Sequence, residues 1–280
     1  MKRFRIESSP SVVPRLGASL ANRRTFAKRL GGIAMTASVT DAVSGWAADP
    51  DLTPEKKKAL LITGGCCHDY SNQKRIIVDA LGGQQKNDWT ILQYGDRRDV
   101  RAEIYESRDW IRGYDIVVHN ECFGAVDDPS FIKGIVDAHA STGVPAIMIH
   151  CSMHSYRNAE NADAWRGLIG ITSRRHEKSK RSLTVQLTDA GTADPITAHL
   201  GDGWQTPNGE LYLVEKVWPD VTVLATARST ETDSDHPIAW KHTRNGVPVF
   251  ATTLGHHNET MLDPNWQKML SGGWAWCLQQ

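Results

Sequence analysis

Short apolar runs that break off abruptly into polar, ligand-type residues recur along this chain. Lys58-Ala59-Leu60-Leu61-Ile62-Thr63 reads as a buried strand and gives way to Gly64-Gly65-Cys66-Cys67-His68-Asp69-Tyr70. Asp115-Ile116-Val117-Val118 delivers His119-Asn120-Glu121-Cys122 in the same manner. Ala146-Ile147-Met148-Ile149 stops at His150-Cys151-Ser152-Met153-His154, ahead of a helix, and Val247 to Leu254 ends in Gly255-His256-His257-Asn258-Glu259-Thr260. Between the runs lie helical patterns. Ile76, Ile77, Ala80 and Leu81 share one face of a helix capped by Ser71 or Asn72 and stopped at Gly82-Gly83. Asp128-Pro129 opens another helix, to about Ala140, and one is expected around Ala162 to Leu168.

Trp89 to Tyr94 supplies a further strand, and Asp96 to Arg112 reads as an exposed charged loop and helix. Strand-like runs follow at Leu183 to Leu187, Glu210 to Val214, Val221 to Ala227 and Pro237 to Lys241. The closing helix carries Trp266, Met269, Leu270, Trp274 and Trp276 as core packing. The basic run Ser173 to Arg181 reads as a solvated loop, with a substrate-facing lid as the sharper alternative. Strand and helix alternate, which predicts an α/β fold: a mostly parallel central sheet with right-handed crossovers, flanked by helices.

The first 48 residues do not fit that pattern. Asn22-Arg23-Arg24-Thr25-Phe26-Ala27-Lys28, a weakly apolar stretch from Leu30 to Val43 and the small-residue exit Trp46-Ala47-Ala48 read as a twin-arginine signal peptide. The apolar stretch is too short and polar for a permanent membrane span. The expectation is an exported, periplasmic protein with one domain over residues 49–280. Basic and acidic residues balance at 32 each, but residues 1–48 hold eight of the former and two of the latter. The remainder is acidic, 24 against 30, which argues against a nucleic-acid surface. Five cysteines, two of them adjacent, do not resemble a disulfide framework. All eleven histidines lie beyond residue 48.

Carboxyl ends of parallel strands share one sheet edge, so the clusters at His68, His119/Glu121, His150/Cys151/His154 and His256/His257/Glu259 can meet in one crevice. Two chemistries suit it. Neutral imidazoles with a carboxylate suit Zn²⁺ or a related divalent ion. Alternatively, Cys151 at the strand-to-helix turn is a thiol nucleophile, with His256 or His257 as base and Glu259 orienting it.

Gly65-Cys66-Cys67-His68-Asp69-Tyr70, His150 to Arg157, Gly209-Glu210-Leu211-Tyr212, His236 to Trp240 and above all Val249 to Met261 resemble the ThuA-like (trehalose-utilisation) family, over roughly residues 58–278. The resemblance implies a fold similar to class I glutamine amidotransferases, a flavodoxin-like three-layer sandwich. It also implies Cys151 at the nucleophile-elbow position, the His256/His257–Glu259 segment where amidotransferases keep catalytic His and Glu, and a role in disaccharide or 3-keto-sugar metabolism. Some members bind a metal.

The resulting expectation is an exported metal-dependent enzyme acting on a carbohydrate or 3-keto-sugar by hydrolysis, elimination or isomerisation. Its metal ligands are drawn from His68, His150, His154 and His256. Acid, base or nucleophile roles fall to His68, Cys151, His257, Glu259 and Glu210, and substrate orientation to Tyr70, Tyr156 and Arg157. The alternatives are a Cys-His amidase or esterase and a non-catalytic periplasmic sugar-binding module. The expected partner is a small carbohydrate, and homo-oligomerisation is compatible with the sequence.

Overall fold

The computed structural model describes residues 55–201 and 203–280. The expected signal peptide lies outside the described residues. Eight strands form the main sheet: β1 (Lys57–Gly65), β2 (Asn87–Tyr94), β3 (Ile116–Cys122), β4 (Ala146–Ile149), β6 (Val185–Leu187), β8 (Thr222–Arg228), β9 (Asp235–Arg244) and β10 (Val247–Thr252). Their order across the sheet is β2-β1-β3-β4-β10-β9-β8-β6. The first five in that order are mutually parallel, and β9, β8 and β6 continue antiparallel. A separate antiparallel ribbon pairs β5 (Ile171–His176) with β7 (Tyr212–Val217). The front half of the basic run at 173–181 is therefore a strand, because its residues find backbone partners on β7.

Helices cover both faces, as the continuously buried strands require. Alternate residues of β1 divide between the two layers. Ala59 and Leu61 face a core shared with α1 (Tyr70–Ala80) and α7 (Pro264–Leu278). Leu60 and Ile62 face the opposite core, under α3 (Pro129–Thr142) and α4 (Asp163–Ile169). Each fully buried leucine or isoleucine among these contributes roughly 1.5–3 kcal/mol. Short helices α2 (Gly83–Lys86), α5 (Asp189–Ala193) and α6 (Asn258–Leu262) complete the described elements, with 3₁₀ turns at 103–106, 150–154 and 198–200.

Helix starts follow local chemistry. Asp128 and Asp263 accept from the first backbone N–H groups of α3 and α7, and each is followed by proline. The cap of α1 is Asp69, earlier than the Ser71 or Asn72 expected, since its carboxylate reaches the Asn72 N–H at 3.3 Å. Helix α7 lies so close to β10 that a Cβ on Gly273 would sit 2.2 Å from the Phe250 ring.

The arrangement sets out four adjacent parallel strands, β1, β3, β4 and β10, whose carboxyl ends share one edge. Gly64 and Gly65 let the chain leave β1 sharply, with φ of +123° and +86°. A Cβ at Gly65 would stand 2.3 Å from the Cys122 carbonyl oxygen, so only glycine fits this approach.

Candidate metal centre

Three strand exits and one ribbon loop converge. His68 follows β1, His150 follows β4, His256 follows β10, and Glu210 stands two residues before β7. One ligand-type atom from each lies within 4.8 Å of all the others. His256 Nδ1 is 2.9 Å from His68 Nε2, 3.2 Å from His150 Nε2 and 3.2 Å from Glu210 Oε2. His150 Nε2 stands 3.3 Å from Glu210 Oε2.

The far sides of the rings decide which atoms face inward. His150 Nδ1 donates to the Thr253 carbonyl oxygen at 2.5 Å, and His68 Nδ1 donates to the Cys66 carbonyl oxygen at 3.3 Å. Each ring then turns an Nε2 lone pair toward the centre. Only His256 Nδ1 can hold a proton there, and one proton cannot serve two lone pairs and a carboxylate. A cluster so short of donors fits a cation. Ligand atoms that share one ion through ~2.0–2.2 Å bonds lie roughly 3–3.5 Å apart, near the distances seen.

Electrostatics agree with that donor set. Burial, reinforced by His150 and His256, pulls the His68 pKa down to about 2, and burial likewise lowers His150. Both rings are neutral at physiological pH, the form that ligates metals. Burial alone would raise Glu210, but the neighbouring His150 and His256 rings outweigh this and hold it below the usual carboxylate range. His150 adopts φ +40°, a left-handed backbone costly for a residue with a Cβ. The strained residue at this strand exit is therefore His150, and it is the one turned into the cluster.

Other side chains hold the ligands in place. Gln73, on the inward face of α1, donates through Nε2 to the carbonyl oxygens of Gly255 and His256 at 3.1 and 3.3 Å. Its Oε1 accepts from Asn120 at 3.3 Å. Tyr70 donates its hydroxyl to the Cys66 carbonyl at 2.9 Å, beside His68. Nothing in the periodicity marks Gln73 as a site residue, although a polar side chain on the buried face of an amphipathic helix was a usable signal.

The remaining candidates separate from the cluster. Both ring nitrogens of His154 are occupied: Nδ1 accepts from Arg157 at 3.3 Å and Nε2 donates to Ser173 Oγ at 3.3 Å. The ring stacks on Tyr212 at 3.8 Å between centroids, so His154 and Arg157 brace the ribbon. Cys151 is buried, and burial pushes its thiol well above the ordinary value. His256 Nδ1 is engaged by His68, His150 and Glu210. Tyr156 is fully buried against Trp165. His119 and Glu121 face the opposite core, where His119 Nδ1 meets Glu121 Oε1 at 2.9 Å and Nε2 meets His139 at 3.1 Å. Strand alternation explains this: His119 and Glu121 share one face of β3, and Asn120 points to the other.

A 590 Å³ cavity opens over the cluster, lined by Cys67, His68, Asp69, His256, His257, Asn258 and Glu259. Cys66 and Cys67 form a disulfide between neighbouring residues. The remaining cysteines, Cys122, Cys151 and Cys277, are free and buried.

The family model for ThuA, described as trehalose utilisation, matches residues 58–277. The chain belongs to the ThuA family. Among solved structures, a ThuA-like protein from Parabacteroides merdae aligns with TM-score 0.63 and 16% identity, over 80% of this chain and 90% of that one. A ThuA-like protein from Bacteroides uniformis aligns with TM-score 0.60 and 14% identity, over 82% and 95%. The glutaminase domain of Trypanosoma brucei CTPS with bound acivicin aligns at TM-score 0.47 and 11% identity, over 78% and 94%. A search of the curated proteins returns no match to the chain.

Proposed function

We propose that this ThuA-family chain is an exported, metal-dependent enzyme acting on a carbohydrate or 3-keto-sugar. The observation that carries the proposal is the convergence of His68 Nε2, His150 Nε2, His256 Nδ1 and Glu210 Oε2 with too few protons to satisfy one another. Three imidazoles and a carboxylate suit zinc or a related first-row ion. When bound, such an ion supplies Lewis acidity to a carbonyl or hydroxyl oxygen of the substrate. The family description, trehalose utilisation, supports a carbohydrate as ligand.

The chain's own residues supply the rest. His257 lines the cavity, and burial lowers its pKa, so the ring is a neutral proton acceptor. Asp69 and Glu259 on the same wall accept hydrogen bonds from sugar hydroxyls. Asp69 is held there by Asn258, whose side-chain amide donates to it at 2.9 Å. A His257 base beside a polarised ketone suits proton abstraction next to a carbonyl, the first step of isomerisation or β-elimination. Export rests on the twin-arginine pattern of residues 22–28. Among the described residues no helix is long and apolar enough to cross a membrane.

The test is elemental analysis of untagged protein before and after chelation, with turnover of 3-keto-disaccharides followed in parallel. Stoichiometric first-row metal, loss of turnover on chelation and its return on reloading are expected. Protein without stoichiometric metal, or turnover indifferent to chelation, overturns the proposal.

A further inference from the structure

The loop between β1 and α1 places its disulfide against a third sulfur. Cys66 Sγ, bonded to Cys67, lies 3.9 Å from the free Cys122 Sγ at the end of β3. The two ends of that disulfide differ. Cys66 is half-buried and packs against Cys122, Cys151 and Tyr70. Cys67 is exposed and lines the cavity. Arg98 spans both sulfurs, with Nε 3.2 Å from Cys66 Sγ and Nη2 3.7 Å from Cys67 Sγ. Its loop is tied to the segment after β3 by the Ala125 N–H, which donates to the Arg98 carbonyl at 3.0 Å.

We infer that Cys66, Cys67 and Cys122 form an internal thiol–disulfide exchange unit that places a free Cys67 thiol in the cavity beside His68. Cys122, as thiolate, attacks Cys66 Sγ. The Cys66–Cys122 bond forms as the Cys66–Cys67 bond breaks, and the electron pair leaves on Cys67 Sγ next to the Arg98 guanidinium. Cys67 takes up the proton that Cys122 released. One disulfide and one thiol stand on each side, so no oxidant or reductant is consumed. The two sulfurs need to close by roughly 2 Å to reach bonding distance. The polarity of attack follows from the placement of Cys122 against the inner sulfur, and the guanidinium is within reach of the anion that departs on the outer one. The cavity wall then alternates between an inert disulfide and a soft, nucleophilic thiol, which makes it a modification site for electrophiles of cavity size.

The test alkylates the folded, full-length protein with a small neutral reagent such as iodoacetamide, with no external thiol present, and maps peptides by mass spectrometry. The expected products are a label on Cys67 and a Cys66–Cys122 cross-linked peptide, with Cys151 and Cys277 unlabelled. In Cys122→Ser, and equally in Cys122→Ala, Cys67 labelling is lost and the Cys66–Cys67 peptide persists. Circular dichroism and a cooperative melt establish that each variant is folded. An unlabelled Cys67 in the unmodified chain, labelling that survives in both variants, or free Cys66 and Cys67 thiols in the starting protein each overturn the inference.

Discussion

Glu210→Gln separates the metal reading from a purely structural one. The carboxylate is buried among His150, His256 and, through its other oxygen, His176 at 3.5 Å. In metal-free protein it is an anion facing inward-pointing lone pairs. A glutamine of the same shape removes that charge and brings an NH₂ able to donate to His150 or His256. Metal-free stability should therefore hold or rise. With metal the order reverses. At a free concentration of about 100 times the dissociation constant, binding stabilises the unmodified protein by about 2.7 kcal/mol. If loss of the anionic ligand weakens affinity roughly 100-fold, the same concentration gives the variant only about 0.4 kcal/mol. The difference of about 2.3 kcal/mol corresponds to about 5–9 °C in Tm for a domain of this size. Scanning calorimetry of both proteins, chelated and metal-saturated, reads this directly. A variant that keeps the full metal-dependent shift, or loses several kcal/mol without metal, would refute the reasoning.

Cys151→Ala is expected to keep stoichiometric metal and turnover while losing about 1 kcal/mol of stability from the small cavity; abolished turnover with metal retained would restore the thiol mechanism. Gly273→Ala should cost about 1–3 kcal/mol in urea unfolding, because its Cβ meets the Phe250 ring at 2.2 Å; an unchanged midpoint would contradict the tight α7–β10 contact. His139 is buried against His119, Trp110 and the Val144 carbonyl, and burial, then His119, lowers its pKa to about 3. The unfolded chain binds the extra proton below about pH 6.5, so this contribution is full above that pH and lost as pH falls toward 3. His139→Gln should flatten the stability–pH slope there by about 1.4 kcal/mol per pH unit, checked by urea midpoints across that range.

The parallel half of the fold was legible because its strands are uninterrupted apolar runs with polar exits. Leu60 to Ile62, Ile116 to Val118 and Ala146 to Ile149 mark β1, β3 and β4 directly. The ribbon was not, since β5 carries Arg174 and Arg175 on its exposed side and owes its conformation to backbone pairing with β7. At the site, the sequence pointed to the strand exits but not to which side chains turn inward. His119 parts company with His68 through strand alternation, and His154 through Arg157 and Ser173, neither visible before folding. Glu210 was legible as a polar residue at a strand start, but its seat among three histidines depends on the ribbon crossing the sheet edge. The adjacent disulfide has no signature in cysteine spacing beyond the pair itself.

Crystals of untagged protein measured on both sides of the bound metal's absorption edge would test the central claim most directly. The account predicts one anomalous peak enclosed by His68 Nε2, His150 Nε2, His256 Nδ1 and Glu210 Oε2. A peak ligated elsewhere, or metal-supplemented crystals with no peak among these four side chains, would contradict it.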